Sequence, residues 1–123
     1  MMGGGDIVAT VDDVYCLNLA IKNKALLSES AWERILTPSP FNSMGFGCNV
    51  STWHGKTRIQ HNGGSAGFRT LHVHLKEDDF DLILLSNSAY SDARYIFLDY
   101  AYDSFYHNLE KESLVIEMDK GYI

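Results

Sequence analysis

The chain has 123 residues, 46% of them hydrophobic and 21% charged, with 16 acidic against 10 basic side chains and a net charge of -6. That is the balance of one soluble globular domain large enough to bury a core. Without a Lys/Arg cluster, nucleic acid and anionic membrane surfaces are excluded as main partners, and no apolar run reaches the roughly 18 residues of a membrane span.

The opening Met1-Met2-Gly3-Gly4-Gly5 lacks the charged and apolar regions of a signal peptide. The protein is therefore expected to be cytoplasmic or to have its true N-terminus further upstream. After this loop, Thr10 stands three residues before Asp13. A threonine there can accept from an orphan helix N–H, and an aspartate favours the positive end of the helix dipole. Val11, Val14, Leu17 and Ile21 follow at helical spacing, widened by Tyr15 and Leu19 and interrupted by Asn18. The pattern predicts a helix over 11–22, ending in Lys22-Asn23-Lys24. Ser28 or Ser30 opens a second, short helix with Trp32, Ile35 and Leu36 on one face, and Pro38 and Pro40 end it.

From Phe41 the period changes to two. Residues 45–53 read as a strand, His54-Gly55-Lys56 as a turn, and residues 57–61 as a second strand. Residues 70–75 form a third, with Leu71, Val73 and Leu75 on one face and Thr70, His72 and His74 on the other. Lys76-Glu77-Asp78-Asp79 is a charged hairpin turn. The near-continuous apolar run over 80–87 predicts a strand covered on both faces. Ser91-Asp92 caps a long helix to about 109, carrying Tyr95, Ile96, Leu98, Tyr102, Phe105 and Tyr106, and residues 114–118 form a β-like run in the tail. The chain has no internal repeat.

Between the second and third strands lies His61-Asn62-Gly63-Gly64-Ser65-Ala66-Gly67-Phe68-Arg69-Thr70. A hairpin turn accounts for some of its glycines. A two-residue loop does not need three, so something is expected to lie close against this backbone.

Chemical motifs are sparse. Five histidines invite a metal reading through His61, His72 and His74, but the spacing matches no strong zinc pattern and no carboxylate or cysteine completes the set. No metal or other cofactor is expected. Cys16 and Cys48 read as buried free thiols. Gly63-Gly64-Ser65-Ala66-Gly67 fits Gly-x-Ser-x-Gly in form, but a nucleophile elbow needs a helix after the serine, and here a strand-like run follows. No serine has a lysine three positions later, the spacing at which a lysine reaches the hydroxyl. Tyr106-His107-Asn108 fits Tyr-x-Asn only in form.

The order of features resembles the C-terminal part of the serine β-lactamase and penicillin-binding-protein-like family, especially its class C-like branch with esterases and D-Ala-D-Ala carboxypeptidases. The matching features run from Gly3-Gly4-Gly5 through Thr10 and Asp13 ahead of a helix to Leu26-Leu27-Ser28 and Leu36-Thr37-Pro38. They continue with Gly45-Phe46-Gly47, with His61-Asn62-Gly63 where the family has Lys-Thr-Gly or His-x-Gly, with Gly67-Phe68, and with Leu84-Leu85-Ser86-Asn87. The family's Ser-x-x-Lys and Tyr-x-Asn precede the matched stretch, and Tyr106 comes in the wrong order to replace them.

The resemblance implies an α+β fold, an antiparallel sheet of about four strands with flanking helices. It implies one partial domain over 1–123 with a tail over 110–123, the C-terminal portion of a β-lactamase/transpeptidase-like domain. The parent activity would be serine hydrolysis of a small-molecule or peptide ester or amide through an acyl-enzyme, with this chain alone inactive. His61 would face the substrate carboxylate and the catalytic tyrosine. Histidine in place of lysine is shorter and can be neutral near pH 7, which favours esters or D-amino-acid peptides over β-lactams. The N–H of Gly64 would be one of two oxyanion donors, and Asn62, Gly63 and Ser65 would line the substrate, Gly63 by letting it lie against the strand and Asn62 by pointing away from or along the cleft. The parent's compartment would be periplasmic or secreted, or else cytoplasmic. Without the family's N-terminal strand the edge at 80–87 would be bare, so a homo-oligomer through that edge is expected. The competing reading is a non-catalytic binding domain that keeps the fold.

Overall fold

The computed structural model describes Gly5, residues 7–88 and residues 93–108. Three helices and four strands run in the order α1 (Val11–Lys22), α2 (Glu29–Leu36), β1 (Asn49–Trp53), β2 (Lys56–Ser65), β3 (Phe68–Leu75), β4 (Phe80–Ser86) and α3 (Ala93–Asn108). This is the expected α+β architecture, and its strands form one antiparallel meander in the order β1-β2-β3-β4. No helix among the described residues is long and apolar enough to cross a membrane.

The sheet carries a helix on each face. On one face Leu71, Val73 and Leu75 of β3 stand directly opposite Leu84, Leu82 and Phe80 of β4, and Leu98, Ala101 and Tyr102 of α3 close over them. Leu71, Val73, Leu75 and Leu98 are almost wholly buried. Each such side chain stabilises the fold by roughly 1.5–3 kcal/mol. Tyr95, Ile96 and Tyr100 of α3 instead face outward.

On the other face α1 sits over β4, and here the pattern-based reading of the helix is corrected. Asn18, the interruption in the apolar stripe, is the buried residue at 2% exposure, whereas Leu17 and Tyr15 are 51% and 44% exposed. The reason is polar. Asp81 of β4 lies beneath this helix, and a carboxylate out of water needs donors. Asn18 supplies one, and Lys22, one turn on, supplies another. The start of α1 is as expected. Thr10 accepts from the Asp13 N–H, and Asp13 accepts from the Thr10 N–H, a reciprocal capping box.

Helix α2 is capped by Ser28 and buries Trp32. Its Ile35 carbonyl accepts from the Phe46 N–H. A Cβ on Gly45 would stand 2.2 Å from that same oxygen, so only glycine fits there. The chain turns tightly at this point, with the Gly45 N–H bonded to the Cys48 carbonyl at 2.8 Å and Gly47 at φ +82°. The strand predicted over 45–53 therefore starts only at Asn49.

Strand β2 is longer than predicted. It runs straight through the glycines to Ser65, and the only loop between β2 and β3 is the two-residue turn Ala66-Gly67, both at positive φ, as a tight hairpin requires. Strand β4 ends one residue early, at Ser86. The predicted cap at Ser91-Asp92 and the β-like run over 114–118 lie outside the described residues.

Candidate functional site

The site is the far half of β2. Strand β1 pairs with β2 only from Lys56 to Gln60, whereas β3 pairs with it from Arg58 through Ser65. Along an antiparallel strand, successive residues aim their N–H and C=O alternately to the two sides. The Thr57 carbonyl accepts from the Lys76 N–H at the end of β3, so the odd-numbered residues of β2 face β3. Asn62 and Gly64 therefore aim their backbone groups outward, beyond the end of β1, where no strand lies among the described residues. Odd-numbered Gly63 faces inward, and Arg94 at the start of α3 holds it there, its Nη1 donating to the carbonyls of Gly63 at 3.0 Å and Thr70 at 3.1 Å.

The glycines of this stretch now have separate causes. A Cβ on Gly63 would stand 2.5 Å from Thr70 Oγ1 across the ladder. A Cβ on Gly64 would stand 3.3 Å from Arg69 Nη1 and 3.6 Å from its Cζ, because the Arg69 side chain lies across that strand. The expected close approach exists, and at Gly63 and Gly64 it comes from the protein's own neighbouring strand. Gly67 alone serves the turn, at φ +93°.

His61 is exposed and stands directly opposite His72, on the α1 face of the sheet. Asn62 is exposed on the α3 face, where its Nδ2 donates to the Tyr95 hydroxyl at 3.3 Å. Gly64 and Ser65 are exposed and Gly63 is half-buried. The sequence-predicted site residues thus lie on one short run of strand, with His61 and the Gly63 Cα on one face, Asn62 on the other, and the Gly64 N–H at the edge between them. A strand precedes Ser65 and a turn and strand follow it, so it does not sit on a strand-to-helix elbow.

Beneath His61 the sheet becomes dry. His72 Nε2 is buried with no hydrogen-bond partner among the described residues, and burial pushes its pKa down, so the ring is neutral at pH 7. His74 Nδ1 lies 2.9 Å from Asp81 Oδ1. An ionised carboxylate only accepts, so His74 carries its proton on Nδ1. Burial raises the Asp81 carboxyl, but the hydrogen bonds from His74, Lys22 and Asn18 outweigh that and hold it below the usual range. His74, Asp79 and Asp81 bring three ligand-type atoms within 4.8 Å of one another. The Lys22 ammonium lies 2.5 Å from Asp79 and 3.0 Å from Asp81, so these carboxylates already hold a cation of the protein's own. This cluster anchors α1 to the sheet, and His61 stands apart from it.

The remaining candidates have structural surroundings. The Tyr106 hydroxyl donates to Asp78 in the β3–β4 turn, and burial together with that bond pushes its pKa up. Both cysteines are free, but the expected burial fails: Cys16 is exposed, because α1 turns Asn18 and not its neighbours onto the sheet, and Cys48 is half-buried, with burial raising the Cys48 thiol. Sequence reasoning passed over Arg69, Arg94 and the Asn18–Asp81 pair. Only that pair left a signal, a polar residue in each of two apolar patterns.

No family model matches the chain, and no curated protein or solved structure matches it significantly.

Proposed function

We propose that this chain forms the His-x-Gly wall of an acyl-transfer cleft, as in the serine β-lactamase and penicillin-binding-protein-like hydrolases, for an ester or amide substrate. The nucleophile and its base come from a Ser-x-x-Lys segment outside these 123 residues. One arrangement supports the reading: the Gly64 N–H points out of an open strand edge, three residues from an exposed histidine on the same strand. An outward N–H is what a developing oxyanion needs, and one such donor contributes about 10²- to 10³-fold in rate. His61, exposed on the α1 face of the same strand, serves as proton donor or cation toward the substrate.

The 123 residues alone give no turnover of a chromogenic cephalosporin or a p-nitrophenyl ester, because half an oxyanion hole and a histidine make no acyl-enzyme. In the gene product that joins them to a Ser-x-x-Lys segment, His61→Ala lowers acylation about 10- to 1000-fold and leaves stability nearly unchanged, since the ring is exposed. Turnover by the 123 residues alone, with a serine-reactive phosphonate on Ser65, would overturn this reading. So would an unchanged acylation rate in His61→Ala.

A second reading is a non-catalytic domain that binds an extended peptide along the same edge. The absence of Ser-x-x-Lys from the 123 residues favours it. A gene that encodes no Ser-x-x-Lys and Tyr-x-Asn ahead of these residues would decide for it.

A further inference from the structure

We infer that Arg69 makes the open edge of β2 selective for a carboxylate. The ligand is an extended peptide whose acidic side chain stands directly opposite Gly64. The inference rests on the proposal that this edge receives substrate or peptide, and it adds the chemistry of what is received.

Arg69 and Gly64 are cross-strand partners, so their side-chain directions share one face of the sheet. Gly64 has no side chain, and the Arg69 side chain lies against the point where a Cβ would stand, with Nη1, Cδ and Cζ 3.3–3.6 Å from it. Arginine thereby extends from β3 over β2 at Gly64, the residue whose backbone groups face the open edge. Strands in a sheet lie about 4.8 Å apart. A peptide strand added along Asn62 and Gly64 would therefore place the side chain of its residue opposite Gly64 on the same face, next to the guanidinium.

Arg69 is also uncommitted. Its Nη1 donates to the carbonyl of the adjacent Phe68 at 2.8 Å. The other donors of its planar fork meet no acceptor among the described residues, and no carboxylate pairs with it, although the chain carries 16 acidic side chains. Lys22, Lys24 and Lys56 are all in ion pairs. A guanidinium with no carboxylate partner among the described residues, beside an open strand edge, is suited to a bidentate partner from outside. Glycine leaves this approach uncrowded, since a Cβ at 64 would stand 3.3 Å from Nη1.

The test is a titration of the ¹⁵N-labelled 123-residue chain with two blocked peptides, Ac-Val-Thr-Glu-Thr-Val-NH2 and its Glu→Gln counterpart. Both peptides are expected to shift the amides of Asn62 and Gly64. The Glu peptide should bind about fivefold more tightly, the upper end for an ion pair in contact with water. Arg69→Gln should remove the preference while leaving the edge shifts. Arg69→Lys should keep part of it, showing that a cation and not the fold of the hairpin is responsible, and amide dispersion reports folding in each variant. Equal binding of the two peptides, with shifts at Asn62 and Gly64, would overturn the role of Arg69 and leave the open edge standing. A preference that survives Arg69→Gln would overturn it as well. No shift at either amide with either peptide would overturn both the selectivity and the receiving edge.

Discussion

Replacing Asn18 with leucine separates the two accounts of α1. By sequence pattern the change is favourable: it completes the apolar stripe of Val11, Val14, Leu17 and Ile21 and exchanges a poor helix former for a good one, worth about 0.5 kcal/mol. By structure it is costly. Asn18 is 2% exposed and donates to Asp81, whose side chain is itself only 11% exposed and accepts from His74 and Lys22. Removing one donor from a desolvated carboxylate costs roughly 1.5–3 kcal/mol. The branched side chain must also fit against the charge, so a net loss of about 1–3 kcal/mol remains after the helix gain. With a urea m-value of about 1–2 kcal/mol/M for a domain of this size, the midpoint falls by roughly 1 M. Leu17→Ala, at a half-exposed position, should stay within about 0.5 kcal/mol. Urea unfolding followed by far-UV circular dichroism reads both. A cycle with Asp81→Asn should return a coupling of about 0.5–3 kcal/mol between positions 18 and 81. A stabilised Asn18→Leu, or a Leu17→Ala that costs more than Asn18→Leu, would refute the orientation of α1.

Acid should loosen the fold in a defined direction. Asp81, and Asp78 bonded to Lys56 and Tyr106, are both held below the ordinary carboxylate value in the folded chain despite burial. Their contribution is complete above the unfolded-state pKa and is lost as pH falls through the folded values. The urea midpoint should thus drop as pH falls below about 4, and less steeply in Asp81→Asn; an identical slope in that variant would remove Asp81 as a cause. Gly63→Ala should cost about 1–3 kcal/mol through contact with Thr70 Oγ1. Thr70→Ala in the same chain should recover most of that loss, and failure of the rescue would point to backbone strain instead. We propose that the outer edge of β4, which has a strand neighbour only in β3 among the described residues, pairs with a second copy. Light scattering after size exclusion at micromolar concentration should give twice 13.8 kDa, and a monodisperse monomer would refute it.

Local signals were enough for much of the fold. The reciprocal Thr10–Asp13 cap, the prolines after α2, the alternation through Leu71, Val73 and Leu75, and the change of period at Phe41 each act within a few residues. Chain neighbours alone therefore place α1, α2 and the succession of strands, but not where β1 begins or β2 ends. The candidate site was legible only as a glycine-rich stretch beginning at His61. Three of its properties depend on partners distant in sequence: pairing with β1 stops at Gln60 of β2, Thr70 and Arg69 lie across Gly63 and Gly64, and Asn62 and Gly64 turn outward because Thr57 pairs inward. Burial of Asn18 in preference to Leu17 was decided in the same way, by an aspartate 63 positions along the chain. A periodicity counts apolar residues and cannot weigh a desolvated carboxylate. In the folded chain that single charge outweighs the apolar stripe, since an unpaired buried charge costs more than an exposed leucine gains from burial.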